Sequence, residues 1–199
     1  MNKIALGAGG AVVAAALWWR RNPSACPYSQ RFWVEAPHPF ITRERLYEAL
    51  EPQPGERILE VGPGTGYYSL GVAERVGTLE LLDVQPEFLD HTTRRAREAG
   101  LTNLVATEAD ARSMPFEDAR FDGAYLTTVL GEVPDQDAAL RELARVVKPG
   151  GRIVVGELFG DPHWIPPGTL RRRAEAAGLT VTRRVGPPFG CFSVLRRTD

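Results

Sequence analysis

The 199-residue sequence predicts an α/β fold with a doubly wound, mostly parallel sheet. Two observations carry this. Short β-branched apolar runs alternate with helix-length amphipathic segments at intervals of about twenty to thirty residues, the rhythm of βαβ crossovers. The last two runs, Leu179–Val185 and residues 190–196, are separated only by Gly186-Pro187-Pro188-Phe189. That connection is too short for a crossover, so the chain ends in an antiparallel hairpin.

From the N-terminus, Ile4 and Trp19 bound a run without a single charge, IALGAGGAVVAAALWW, closed by Arg20-Arg21. At about 1.5 Å per residue it would span roughly 24 Å, short of the ~30 Å hydrocarbon core, with flanking tryptophans and arginines able to extend it at the interface. Residues 1–21 are therefore expected to form a hydrophobic helix that anchors the protein to a membrane. Residues 22–41 carry Pro23, Pro27, Pro37 and Pro39 among Tyr28, Phe32, Trp33 and Phe40, and read as a linker or lid. Phe32, Trp33 and Phe40 are expected to line an apolar acceptor pocket opposite residues 128–132. Residues 42–199 form the main domain, opened by Thr42 as the cap of a helix over Arg43–Leu50.

Arg57–Val61 reads as a buried parallel strand. It opens into Gly62-Pro63-Gly64-Thr65-Gly66 and then a helical pattern over residues 67–76. Residues 79–83 form a second strand ending in Asp83. Pro86 starts a helix that Gly100 stops. Residues 104–107 form a third strand and Phe121–Thr127 a fourth, with a loop over 128–135 at its exit. A helix over 138–147 is broken by Pro149-Gly150-Gly151 before a strand over 152–158, and a last helix covers 169–177.

The glycine spacing separates cofactors. A dinucleotide fingerprint needs a glycine three residues after its second, and Tyr67 stands there, which disfavours an NAD(P)-dependent oxidoreductase. No Lys-Ser/Thr pair follows, so this is not an ATP phosphate loop. The pattern is Glu60-Val61-Gly62-Pro63-Gly64-Thr65-Gly66, with an acid two residues before the first glycine. Four further features follow in order. They are Asp83 closing strand two, Asp110-Ala111 after strand three, Phe121-Asp122-Gly123-Ala124-Tyr125 opening strand four, and Leu143 to Gly151 with Val146-Val147-Lys148-Pro149 inside it. Over nearly all of residues 43–197 this ordered set resembles the class I S-adenosylmethionine-dependent methyltransferases. It is most similar to the small-molecule and lipid branch near the ubiquinone/menaquinone and phospholipid methyltransferases.

The resemblance implies a Rossmann-like, doubly wound seven-stranded sheet with a C-terminal antiparallel hairpin, here preceded by the hydrophobic helix. It implies S-adenosylmethionine as cofactor. Glu60 and the turn Gly62, Gly64 and Gly66 would hold its methionine end. Asp83 would bind the ribose hydroxyls with Val84 beside the adenine, Asp110 would meet the adenine amino group, and Ala111 would pack on the ring. Thr127 and Thr128 would sit near the reactive methyl. Methyl transfer needs alignment more than acid or base groups, and candidates for a base at the carboxyl ends of strands are Glu132, Glu157 and His163. His163, following Pro162, also reads as a solvated loop histidine. The acceptor is expected to be small and hydrophobic or lipid-like, with the catalytic domain on the cytoplasmic face of a membrane. A membrane-tethered module that binds the cofactor without turnover is the alternative.

Charge and composition limit other classes. A net charge of −1 gives no electrostatic case for nucleic acid. Cys26 and Cys191 with His38, His91 and His163 give no metal-ligand spacing, and the two cysteines read as reduced packing residues.

Overall fold

A computed structural model describes residues 22–33 and 39–198. The expected hydrophobic helix over residues 1–21 lies outside the described residues. Among those described, no helix is long and apolar enough to cross a membrane.

One sheet contains β1 (Arg57–Val61), β2 (Thr78–Asp83), β3 (Leu104–Glu108), β4 (Phe121–Thr127), β5 (Val147–Leu158), β6 (Leu179–Val185) and β7 (Gly190–Arg197), in the order β3-β2-β1-β4-β5-β7-β6. The first five strands pair in parallel. β7 runs antiparallel to both β5 and β6, as the short final connection requires. Strand order reverses between β1 and β4, which makes the carboxyl ends of these strands the place where an open α/β sheet binds ligands.

The helices are α1 (Arg43–Leu50), α2 (Ser69–Ala73), α3 (Pro86–Glu98), α4 (Gln136–Val146) and α5 (Pro167–Ala176). Alternation along β1 feeds two cores. Leu59 and Val61 pack with Leu140 and Leu143 of α4 and Leu170 of α5. Ile58 packs on the other face with Leu46 and Leu50 of α1 and Val72 of α2. Burial of this many Leu, Ile and Val side chains is the main force holding helices to both faces. Thr42 caps α1, its hydroxyl accepting from Arg45 N–H. At the other end of α1, Arg152 donates to Leu50 O and pairs with Glu56 at 2.6 Å, tying the helix to the sheet.

Two elements differ from the sequence expectation. The helix after the glycine turn is five residues, Ser69–Ala73, in place of 67–76. The N–H groups of Gly77 and Thr78 both donate to Glu56 O, so the chain must turn back to β2 before another helical turn forms. Pro149-Gly150-Gly151 does not precede β5 but lies inside it. Val147 pairs with Phe121, and the register then shifts so that Arg152 pairs with Gly123. Gly150 has a φ of 77°, which a bulge tolerates and a regular strand does not.

Candidate active site

The turn after β1 is held in shape from below. Gly62, Gly64 and Gly66 have φ of 71°, 54° and 82°, conformations that glycine adopts without steric cost. A Cβ on Gly62 would strike the side chain of Val129, so this glycine also lets the β1 and β4 exits close on each other. From α3, Thr92 Oγ1 donates to Gly64 O at 2.9 Å and Arg95 to Thr65 O at 2.5 Å.

Above the turn lies a cavity of about 330 Å³, and the sequence candidates converge on it. Gly62 and Gly64 form its floor, Asp83 and Val84 come from the end of β2, and Asp110 and Ala111 follow β3. Thr127, Thr128 and Glu132 close it from the exit of β4. Two of the candidates for cofactor binding do not line it. Glu60 is 2% exposed and lies behind the turn, and Gly66 packs against Thr92 and Leu70.

A second, adjoining cavity of about 600 Å³ shares Gly62, Gly64, Thr127, Thr128 and Glu132 with the first and adds Tyr67, Tyr68, Asp161 and His163. Contrary to the solvated-loop expectation, His163 is buried, and Gly131 allows its backbone to approach because a Cβ there would meet His163 O. Glu157 lines neither cavity. One of its oxygens accepts from Ile165 N–H at 2.9 Å, holding the turn after β5. Phe32 and Phe40 also stay outside, Phe32 being 58% exposed and Phe40 packing edge-on against Phe189. The Trp33 side chain lies outside the described residues.

The acids differ in their surroundings. Burial pushes the Asp83 carboxyl up to about 6, against backbone N–H bonds from Gln85 and Val84. Asp110 is held below the usual carboxylate range by the Arg112 guanidinium, 2.6 Å away. Burial raises Glu132 to about 7, with Asp161 and Asp83 adding repulsion and the Cys26 N–H opposing it. Glu157 is pushed to about 8, again chiefly by burial.

Two features carried no sequence signal. Thr128 has a φ of 56°, the left-handed region that a β-branched residue avoids, a strain of order 1–3 kcal/mol that marks functional turns. Its N–H donates to Gly156 O, which fixes the kink. The second feature is a strap. Pro23, Ser24, Ala25 and Cys26 form one wall of the first cavity. The Gln85 amide brackets that strap, accepting from Tyr28 N–H at 3.0 Å and donating to Cys26 O at 2.9 Å. Such backbone-mediated contacts leave no motif, though an amide directly after the Asp83 strand end is the residue type that makes them.

The donor set and shape fit a nucleoside sulfonium. Asp83 can accept from hydroxyls, Leu82, Val84, Phe88 and Ala111 give an adenine apolar walls, and the glycine floor admits close backbone approach. The methyltransferase domain family model matches residues 59–155, the stretch that builds this turn and both strand exits. Residues 59–155 thus form a methyltransferase domain. The cofactor of this family is S-adenosylmethionine.

The methyltransferase domain is 37% identical over 120 residues to the ubiquinone/menaquinone biosynthesis C-methyltransferase UbiE of Cellvibrio japonicus, covering 58% of this chain and 48% of the relative. It is 34% identical over 117 residues to the methyltransferase GfsG of Streptomyces halstedii, covering 58% of this chain and 42% of the relative. The chain thus spans about half the length of these curated relatives. Among solved structures, a SAM-dependent methyltransferase from Aquifex aeolicus superposes with a TM-score of 0.77 over 86% of this chain and 98% of the other at 21% identity, a likeness of fold.

Proposed function

We propose that this domain transfers a methyl group from S-adenosylmethionine to a small acceptor with an apolar body. The observation that carries the reading is the meeting of two cavities at Thr127, Thr128 and Glu132. One is suited to the cofactor, and the other is large enough for a second small molecule, within the roughly 300–1,000 Å³ of ligand sites. When bound, the cofactor supplies an electrophilic methyl carbon on a sulfonium.

The chain's own residues do the rest. Asp83 would accept from the ribose hydroxyls, Val84 and Ala111 would lie beside the base, and Asp110 would meet the adenine amino group. The glycine turn, with Glu60 behind it, would receive the methionine end. Thr127 and the strained Thr128 shape the junction through which the acceptor must reach the methyl. Glu132, raised to about 7, is poised to take a proton from an acceptor hydroxyl, amine or activated carbon at neutral pH. His163 borders the acceptor side. Glu157, outside both cavities, acts at most through the turn it holds. Tyr67, Tyr68, Ile41 and Leu158 give the acceptor cavity ring and aliphatic walls, which suits a hydrophobic or lipid-like molecule.

Incubating the full chain with methyl-labelled cofactor and a cell extract, with S-adenosylhomocysteine binding measured by calorimetry alongside, tests the proposal. Label in a small apolar product is expected. Cofactor binding with no labelled product in any extract would make this a non-catalytic binding module. Tighter binding of NAD than of S-adenosylhomocysteine would overturn the cofactor reading altogether.

A further inference from the structure

Behind the glycine turn, three polar side chains are sealed in together. Glu60 of β1 and Tyr125 of β4 are partners across the two strands, and Ser69 opens α2 beside them. Their exposures are 2%, 1% and 0%. Glu60 Oε2, Tyr125 OH and Ser69 Oγ are each buried with no hydrogen-bond partner among the described residues. An unpaired polar atom in such a place is costly, and natural folds rarely tolerate three at one point. The chemistry of the three is complementary. Both hydroxyls can donate, and an ionised carboxylate can only accept. Directly or through one bridging water, pairing among themselves satisfies all three.

Among the described residues, no cation acts on the carboxylate. The groups that act on Glu60 are the Ser69 and Tyr125 hydroxyls, which favour its charge, and Asp83 at the end of β2, which opposes it. The groups that act on Tyr125 are Glu60, Tyr47 of α1 and Tyr68 of the turn. Every neighbour is thus an acid, a phenol or a neutral hydroxyl. Burial works against the charged form and raises Glu60 to about 7. Among the described residues, the groups that favour the charged carboxylate are the two hydroxyls.

We propose that Tyr125, assisted by Ser69, is a positioning residue that grips the Glu60 carboxylate from behind and so sets the readiness of the glycine turn to receive the cationic end of the cofactor. This rests on the reading of Glu60 as a cofactor residue. The position of Tyr125 fits the role. The first strand presents Glu60 toward α2, and the facing residue of the neighbouring strand brings a phenol hydroxyl to the same depth. An aliphatic residue there would pack equally well but would leave the acid with half of its donors.

Titrating S-adenosylhomocysteine into wild-type protein, Tyr125→Phe, Ser69→Ala and Glu60→Gln between about pH 6 and pH 9 tests this, with thermal unfolding of each variant alongside. Wild-type affinity should rise as Glu60 ionises through about pH 7. In Tyr125→Phe that midpoint should move up by about one pH unit. Affinity is then about fivefold weaker at pH 7, and the two curves converge by about pH 9. Ser69→Ala should move the midpoint in the same direction, and it carries the test if Tyr125→Phe does not fold. A residue that merely fills space would give an offset independent of pH.

Glu60→Gln separates the two readings. If it binds as wild type does, the assignment of Glu60 to the cofactor fails, and the inference fails with it. If it binds weakly while neither hydroxyl variant moves the midpoint, the positioning role alone is wrong.

Discussion

The backbone N–H of Cys26 donates to Glu132 Oε2 at 3.1 Å, joining positions 106 residues apart. Through this bond the segment that precedes the domain rests on the same carboxylate that faces the acceptor cavity. The bond also lowers the Glu132 pKa, against the larger effect of burial. Closing the strap and ionising Glu132 therefore favour each other.

The Gln85 amide also holds this segment, with hydrogen bonds to the backbone of Cys26 and Tyr28, while the Tyr28 hydroxyl meets His91 and its ring packs on Phe88. Gln85→Ala should release the strap while leaving the cores untouched. With a net worth of about 1 kcal/mol for each of the two hydrogen bonds, S-adenosylhomocysteine should dissociate roughly five- to thirtyfold faster, with little change in melting temperature. Stopped-flow displacement measures this, and an unchanged off-rate would show that the strap does not retain the ligand.

Gly62→Ala should abolish cofactor binding without unfolding the sheet, because φ is 71° there and the new Cβ meets Val129. Asp83→Ala should weaken binding by about 1–3 kcal/mol, the value of a hydrogen bond to a charged group. Calorimetry on both variants, with circular dichroism to confirm the fold, reads out the effect. Wild-type affinity in Gly62→Ala would remove the turn from the site.

Four buried acids make stability depend on pH with a definite sign. Glu60 and Glu132 are raised to about 7, Asp83 to about 6 and Glu157 to about 8, each chiefly by burial. A raised carboxyl binds its proton more tightly folded than unfolded. Its contribution is complete below the ordinary carboxylate range and is lost as pH rises through the folded value. Asp110 beside Arg112 and Glu142 beside Arg145 are lowered and act oppositely, losing their contribution in acid. The ligand-free protein should therefore be most stable near about pH 5, with its melting temperature falling between about pH 5 and 8 and levelling above that. Differential scanning calorimetry across this range checks it. A melting temperature that rises over the interval would contradict the burial of these acids.

The uncharged run from Ile4 to Trp19 predicts membrane association, with Arg20 and Arg21 on the cytoplasmic side. Fractionation of cells expressing the full chain and a version starting at Asn22 tests it. The full chain should require detergent for release and the shorter one should not. If both are released without detergent, the anchor is wrong, and the preference for a lipid-like acceptor rests on the cavity walls alone.

The sheet was legible in the sequence because its strands are short, apolar and separated by glycine and proline at the places where the backbone turns. The hairpin followed from a connection too short for anything else. The placement of Asp83, Asp110 and the two threonines at one cavity was legible as well, since each stands at or just past a strand end on the side where an open α/β sheet binds ligands. The rest depended on distant contacts. The length of α2 was set by hydrogen bonds from Gly77 and Thr78 to Glu56, which no local periodicity records. Glu157 looked like a site residue from its place at a strand end, yet alternation turned it away from both cavities toward Ile165. The rings of the linker were read as a pocket wall, while the wall is made by Pro23 to Cys26, whose role lies in their backbone.

The placement of β7 governs the order in which the molecule can assemble. β6 has a single sheet neighbour, β7, and β7 is also the strand that covers the outer edge of β5. Until residues 190–197 are available, β5 presents an open edge and β6 has nothing to pair with. During synthesis the cofactor half, β1 to β4, can come together first. The remaining strands must wait for the last segment to slide between them, carrying Phe192 and Leu195 into opposite cores. Pairings formed so late, between an edge and a strand still emerging, are slow and exposed to association with other chains. Loss of even a few residues from β7 would leave this protein prone to aggregate while its ligand-binding turn was already complete.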